Sequence, residues 1–271
     1  FNHFGKAQGF DKVESASIFC GPDAPKTWVG VYDHVFLENI EQQIKSIDEP
    51  TFHFIYTTSN HGPYKMEDSL LDYDPEKVMP DVGEDLRSNK TRNKELATYR
   101  YSDKATFNFV KSMKDAYPDS LFVVTGDHSN LFGSLNNTSL IHRDYTLRDT
   151  FCTVCLLQHP ELEDNMIVTK KGTHMSIMPT IIEAIAPKGF EYYSITPSLF
   201  EEQPETLVTP YQWMTDTMMG DVRMDYGESN MPSTEPVEQV RPIDNHADEA
   251  RNWTLLTTWL INHEKILFSK K

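Results

Sequence analysis

A short apolar run, Leu121-Phe122-Val123-Val124, is followed at once by Thr125-Gly126-Asp127-His128-Ser129. Such a run predicts a buried strand, and in α/β proteins reactive groups gather where strands end and the sheet opens into a crevice. The adjacent carboxylate and imidazole are of the types that bind divalent cations. A simpler interpretation also fits, in which Asp127 caps the next turn and His128 is an ordinary loop residue.

The composition limits the classes of partner. The chain has 271 residues, enough for one large domain or two small ones with an ample core. Lys and Arg total 25 while Asp and Glu total 41, so the formal net charge is −16. We therefore expect no nucleic-acid partner, because phosphate backbones are bound by basic surfaces. No apolar stretch approaches the roughly 18–20 residues that a membrane span needs.

Three cysteines argue against a disulfide scaffold. Cys152 and Cys155 have the spacing of some metal sites, but they lie in an apolar segment, 151–157, that predicts a strand. Residues three apart on a strand face opposite sides of the sheet. The pair is therefore predicted to be two buried free thiols.

Helices and strands alternate along residues 1–200. Apolar residues at helical spacing predict helices over 35–47, 96–116 and 178–186, and β-branched and aromatic residues predict a strand over 51–57. This alternation predicts an α/β sheet covered by helices on both faces. Residues 201–250 are acidic and weakly periodic, and helical spacing returns over 247–268. We interpret residues 201–271 as an acidic extension that ends in a docked helix.

Three short motifs follow one another in order along the chain. They are Ser59-Asn60-His61-Gly62-Pro63-Tyr64, then Gly126-Asp127-His128, then Gly172-Thr173-His174 ahead of Pro179-Thr180. In this order they resemble the C-terminal half of the alkaline phosphatase superfamily, and most closely the sulfatase-like lipoteichoic acid synthases and phosphoglycerol transferases of bacterial envelopes. The resemblance extends over most of residues 1–200. It implies a three-layer sandwich with a mostly parallel central sheet, of which residues 1–200 form the C-terminal part.

The resemblance also implies roles for individual residues. Asp127 and His128 match the family's metal ligands. His61 matches the histidine that contacts the transferred head group and donates a hydrogen bond to an anionic oxygen, although a loop-capping histidine would fit the same position. His174 falls where relatives often have histidine, and it would contact substrate, bind a second cation or simply begin a helix.

The family's nucleophile is a threonine, serine or modified cysteine on an earlier strand, accompanied by an acidic metal ligand. Neither element is recognisable in this sequence. The resemblance therefore implies that the nucleophile is not in this chain, that a membrane-anchored N-terminal remainder of the same protein supplies it, and that this chain alone is inactive.

The residue after Asp127 bears on the metal and on the substrate. Calcium arylsulfatases have asparagine there, whereas His128 is an imidazole, which suits manganese or zinc better than calcium. We therefore expect a divalent metal, with manganese or zinc favoured and magnesium or calcium as alternatives. We expect an extracytoplasmic enzyme that transfers or hydrolyses phosphoester head groups, such as phosphoglycerol or phosphoethanolamine, on a lipid or glycan. Two alternatives stay open at this point: a sulfate ester hydrolase, and a non-catalytic envelope binding module.

Overall fold

The computed structural model describes residues 2–74, 88–129, 146–162, 171–221, 226–229, 239–240 and 244–263. The chain divides into two compact units, Phe1–Phe122 and Val123–Lys271. Within the described ranges, no helix is both long enough and apolar enough to cross a bilayer.

The first unit is built around two packed helices. Its helices are α1 (Asn2–Ala7), α2 (Ala16–Phe19), α3 (Asp33–Ile44) and α4 (Lys90–Ala116), with a 3₁₀ turn at Asp68–Leu70. Helix α3 packs along α4, and between them Glu41 accepts hydrogen bonds of 2.6 Å from Lys45 Nζ and from Ser112 Oγ. These two donors hold the pKa of Glu41 below its ordinary value. The helices predicted over 35–47 and 96–116 are confirmed.

The core of this unit lies between the start of α3 and the facing side of α4. Tyr32, Met66 and Tyr101 are buried together, with Val35 and Leu71 packed around them. The Tyr101 hydroxyl accepts a hydrogen bond from His34 N at 3.1 Å, and its burial raises the pKa of Tyr101 to about 12. The tyrosine therefore stays neutral and ties the first turn of α3 to α4.

Residues 51–57 form no strand, so that prediction is wrong. The segment has no regular secondary structure. Its alternating aromatic side chains remain largely in solvent: Phe52 is 50% exposed, Phe54 72% and Tyr56 54%. Alternation and β propensity are present in the sequence, but a ladder also requires a neighbouring strand, and none of the described strands pairs here.

The second unit begins with a two-stranded sheet made by β1 (Phe122–Thr125) and β2 (Cys155–Gln158). Residue 151 ends a short helix, α5 (Leu147–Phe151), so the strand predicted over 151–157 starts four residues later than expected. Cys152 and Cys155 are free and half-buried, and burial raises the pKa of both thiols. The thiols are free, as predicted, but they are only partly buried.

Residues 174–185 form a continuous helical segment. A 3₁₀ turn, His174–Ser176, leads directly into α6 (Ile177–Ile185). Thr180 is buried, donates to the Ser176 carbonyl at 2.6 Å and accepts from Leu199 N at 2.8 Å. These bonds fix the start of α6, and with it the turn that carries His174.

An antiparallel sheet of five short strands occupies the region in which the sequence predicted only an acidic extension. Its strands follow chain order: β3 (Leu207–Val208), β4 (Gln212–Met214), β5 (Met218–Asp221), β6 (Tyr226–Ser229) and β7 (Gln239–Val240). The last helix, α7 (Asp244–Asn262), packs against β3 and β4. Val208, Trp213 and Ala250 form the buried core between them. The division of the chain at residue 200 stays a prediction.

Candidate functional site

The carboxyl end of β1 presents the Asp127-His128 pair on a tightly held loop. Thr125 Oγ1 donates to the Val154 carbonyl at 2.9 Å, which ties the strand end to the start of β2. Gly126 then approaches Thr153 so closely that a Cβ atom at position 126 would lie 2.6 Å from Thr153 Oγ1. Glycine is the residue that fits this approach.

The two predicted metal ligands lie side by side in solvent. The side chains of Asp127 and His128 are 55% and 62% exposed. Asp127 Oδ1 accepts from His128 N at 3.0 Å, and Asp127 Oδ2 lies 3.7 Å from His128 Nε2. His128 Nδ1 is 2.6 Å from the Ser129 carbonyl oxygen. Because a carbonyl only accepts, Nδ1 carries the proton, and in the neutral ring Nε2 presents its lone pair beside the carboxylate.

This geometry fits two ligands of one divalent cation. Ligand atoms bound at about 2.1 Å, at angles between about 90° and 110°, lie roughly 3.0 to 3.4 Å apart, close to the 3.7 Å between Asp127 Oδ2 and His128 Nε2. Metal-binding histidines usually donate their other ring nitrogen to a carboxylate or a carbonyl, as His128 does to Ser129. Among the described residues there is no group of three or more His, Cys, Asp or Glu side chains that could hold a metal ion. The pair could therefore supply two ligands of a cation, and further ligands would have to come from elsewhere.

His174 is brought to the same loop. Its Nε2 is 2.7 Å from the Gly126 carbonyl oxygen, although 48 residues separate the two in sequence. Since the carbonyl accepts, Nε2 is the donor, and it is the other ring nitrogen, Nδ1, that is left to accept or to bind an ion. The fold thus gathers Asp127, His128 and His174 around one strand end in the second unit.

His61 belongs to the first unit and is exposed. Its Nδ1 donates to the Gly62 carbonyl at 2.7 Å, so Nε2 is the nitrogen available to a ligand. The indole ring of Trp28 meets the imidazole edge to face, with ring centroids 5.6 Å apart, and is itself 65% exposed. Trp28 was not predicted as a site residue, and its place beside His61 makes it a candidate.

Trp28 is held at the tip of a tight turn. Thr27 N donates to the Gly30 carbonyl at 2.8 Å, and the Thr27 hydroxyl accepts from Val29 N and from Gly30 N. Gly30 lies against the loop that carries His61, because a Cβ atom there would be 2.6 Å from Thr58 Oγ1. The turn therefore fixes an aromatic surface next to an exposed imidazole.

Two buried carboxylates beside the His61 loop were also not predicted from the sequence. Asp33 and Glu95 are each 1% exposed. Asp33 lies at the start of α3 and Glu95 within the first two turns of α4. The sequence does carry a signal for Asp33, which follows the apolar residues Val31 and Tyr32, but that pattern alone does not say what the carboxylate binds.

Comparison with known proteins gives a consistent result. The family model described as Sulfatase matches residues 1–186. Lipoteichoic acid synthase-like YvgJ of Bacillus subtilis (strain 168) is 32% identical over 124 residues, which is 44% of this chain and 18% of that protein. Lipoteichoic acid synthase 1 of the same organism is 22% identical over 207 residues, which is 74% of this chain and 31% of that protein.

A solved structure is similar along almost the whole chain. The crystal structure of the lipoteichoic acid synthase LtaP from Listeria monocytogenes superposes with a TM-score of 0.67 at 16% identity, covering 97% of this chain and 66% of that one. This similarity confirms the predicted sulfatase-like α/β fold. The chain spans less than a third of the length of the curated relatives that it matches.

Proposed function

Because this chain belongs to the sulfatase family, we propose that it forms the C-terminal part of a metal-dependent phosphoester enzyme of the bacterial envelope. The enzyme transfers or hydrolyses head groups of the phosphoglycerol or phosphoethanolamine type. The observation that carries this proposal is the Asp127-His128 pair at the end of β1, in which Asp127 Oδ2 and His128 Nε2 lie 3.7 Å apart while His128 Nδ1 is bonded to the Ser129 carbonyl. The names of the two Bacillus relatives and of LtaP support a function of the lipoteichoic acid synthase type.

Asp127 and His128 would hold a divalent cation, with manganese or zinc favoured by the imidazole. A bound cation supplies charge that stabilises the phosphoryl oxygens and lowers the pKa of a coordinated hydroxyl nucleophile. The histidine also separates this reaction from calcium-dependent sulfate ester hydrolysis, because imidazole is a poor ligand for calcium. His174 positions the loop by donating to the Gly126 carbonyl.

His61 is the residue that we assign to the head group. Its Nδ1 donates to the Gly62 carbonyl, so Nε2 is the nitrogen left for the substrate. When Nε2 also carries a proton, it would donate to an anionic phosphoryl oxygen, where negative charge grows during the reaction. Trp28 lies beside it and offers an indole face against which the apolar part of a head group can pack.

The nucleophile and the acidic metal ligand are assigned to an N-terminal remainder of the same protein, anchored in the membrane and facing outward. Two observations support this assignment. The chain covers 66% of LtaP, and Phe52, Phe54 and Tyr56 are left half-exposed or more along a segment whose pattern is that of a strand. Contact with the remainder would cover these aromatic side chains.

The test is a head-group release assay with a fluorescent phosphoglycerol lipid, run on the full gene product and on this chain alone. We expect metal-dependent turnover by the full product and none by the chain. His61→Ala in the full product should lower kcat by roughly 100-fold, because one charge-stabilising donor is lost. Gln42→Ala, an exposed polar residue on α3 of the same unit, is the control.

Each outcome separates the candidate functions. Turnover by this chain alone would show that the nucleophile lies within it and would refute the assignment to the remainder. Faster cleavage of a fluorescent sulfate ester than of the phosphoglycerol lipid would identify a sulfatase. No turnover of either substrate by the full product, across manganese, zinc, magnesium and calcium, would favour a binding module that has kept the fold without the chemistry.

A further inference from the structure

The loop that carries His61 is bonded at both ends to buried carboxylates, and the first of these is Asp33. Asp33 Oδ1 accepts hydrogen bonds from Thr58 N and from Ser59 N, each at 3.1 Å. In return, Asp33 N at the first position of α3 donates to Ser59 Oγ at 3.1 Å. Ser102 Oγ of α4 donates to Asp33 Oδ2 at 2.5 Å. The carboxylate therefore joins α3, α4 and the residues just before His61.

The second anchor lies on the other side of His61. Tyr64 has a φ of 56°, a left-handed conformation that is unfavourable for a residue with a side chain. Its hydroxyl lies 3.1 Å from that of Tyr99, which donates to Glu95 Oε1 at 2.7 Å. Glu95 Oε2 in turn accepts a hydrogen bond of 2.5 Å from Arg92 Nη1, with which it forms an ion pair. A buried charged group thus holds Tyr64 in place.

The burial of these carboxylates calls for a reason. A charge removed from water is retained only where hydrogen bonds or opposite charges compensate for the lost hydration. Asp33 has three donors from side chain and backbone, and Glu95 has a tyrosine and an arginine. Both sets hold residues 58–64, the loop on which His61 is exposed. A loop that only connected two elements would not need two such anchors.

We propose that Asp33 and Glu95 are positioning residues for His61. They hold residues 58–64 so that the imidazole stands beside Trp28 with its Nε2 towards the substrate. This inference rests on the function proposed for His61, and it adds the residues that make that function effective. Misplacing a catalytic group by about 1 Å costs roughly 100-fold in rate, so the anchors should affect kcat more than KM.

The experiment combines kinetics with hydrogen exchange in the full gene product. Asp33→Ala removes the acceptor of the Thr58 and Ser59 amides, whereas Asp33→Asn keeps an oxygen for both and an amide group for Ser102. We expect faster exchange over 57–60 and a kcat lowered roughly 10- to 100-fold in the alanine variant, with KM changed less than about twofold. The asparagine variant should restore most of both. Glu38→Ala, an exposed acid on the same helix, is the control.

Tyr99→Phe tests the second anchor without a large loss of volume. It removes the hydroxyl between Glu95 and Tyr64, and we expect faster exchange over 62–66 together with a lowered kcat. If Asp33→Ala fails to fold, Tyr99→Phe still tests whether a buried carboxylate holds the loop that carries His61.

Several results would overturn the inference. Wild-type exchange in Asp33→Ala and in Tyr99→Phe would mean that the carboxylates do not hold the loop. Faster exchange with an unchanged kcat, while His61→Ala abolishes turnover, would mean that the loop needs no anchoring for function. A wild-type kcat in His61→Ala would refute the function proposed for His61, and the positioning role with it, while the exchange data would still report the anchoring.

Discussion

Replacing Gly126 by alanine should displace the loop that presents Asp127 and His128. The new Cβ atom would lie 2.6 Å from Thr153 Oγ1 and 3.5 Å from the His128 carbonyl oxygen. Non-bonded heavy atoms prefer about 3.5 Å or more, so the loop and the threonine must separate by about 1 Å. Thr153 is β-branched, which leaves its side chain few rotamers in which to retreat.

The expected cost falls more on the site than on the fold. Inserting a methyl group into a packed contact typically costs about 1–3 kcal/mol, and the exposed position of Thr153 places this variant near the lower limit. The hydrogen bond of 2.7 Å from His174 to the Gly126 carbonyl should be strained as well. Loss of such supporting contacts lowers metal affinity by about 10- to 100-fold, and we expect a change of that size for manganese.

A second substitution distinguishes the effect of the contact between residues 126 and 153 from a general loss of stability. With Thr153→Ala the hydroxyl is gone, and the nearest remaining threonine atom that alanine retains, Cβ, would lie at 3.6 Å, an ordinary contact. The double variant should therefore regain the manganese affinity, measured by electron paramagnetic resonance, and the urea midpoint of the wild type. The Gly126→Ala variant would refute this reasoning if its manganese affinity and urea midpoint matched those of the wild type, or if Thr153→Ala failed to rescue it.

Three further predictions concern stability and reactivity. Gly220→Ala would drive a methyl group into the indole of its cross-strand partner Trp213, which is 2% exposed, and should lower the free energy of unfolding in urea by roughly 2 kcal/mol. Glu41→Gln should cost about 1 kcal/mol at pH 7, since the depressed pKa of Glu41 stabilises the fold above its unfolded pKa. That stability is lost as pH falls through the folded pKa, so the thermal melting temperatures of variant and wild type should converge on acidification. Cys152 and Cys155, whose thiol pKa values are raised by burial, should react with iodoacetamide at pH 7.5 more slowly than free cysteine; equal rates would contradict their burial.

Local sequence patterns were sufficient to predict the helices and the end of one strand. Helical spacing of apolar residues located α3, α4 and α6, because the apolar face of a helix is formed by residues of one continuous segment. The apolar run before Gly126 likewise located β1 and, with it, the pair Asp127-His128. These features depend on residues close to one another in the chain, so a short segment of sequence is sufficient to predict them.

Features that depend on distant partners were not predictable. The 51–57 segment has the composition of a strand, but pairing is a non-local property, and no described strand pairs with it. Conversely, strands β3 to β7 are two to four residues long, too short for alternation to stand out among Pro, Met and Thr. The role of Asp33 was hidden for the same reason, since its partners lie 25 to 69 residues away.

The metal dependence of turnover by the full gene product tests the role of the Asp127-His128 pair without intermediaries. Head-group release from the fluorescent phosphoglycerol lipid would be followed against manganese concentration for the wild type, for His128→Ala and for His159→Ala as a control histidine in the same unit. We predict that His128→Ala lowers turnover at limiting manganese by at least about 100-fold and that the control does not. An unchanged manganese dependence in His128→Ala would contradict the claim that the Asp127-His128 pair holds the cation.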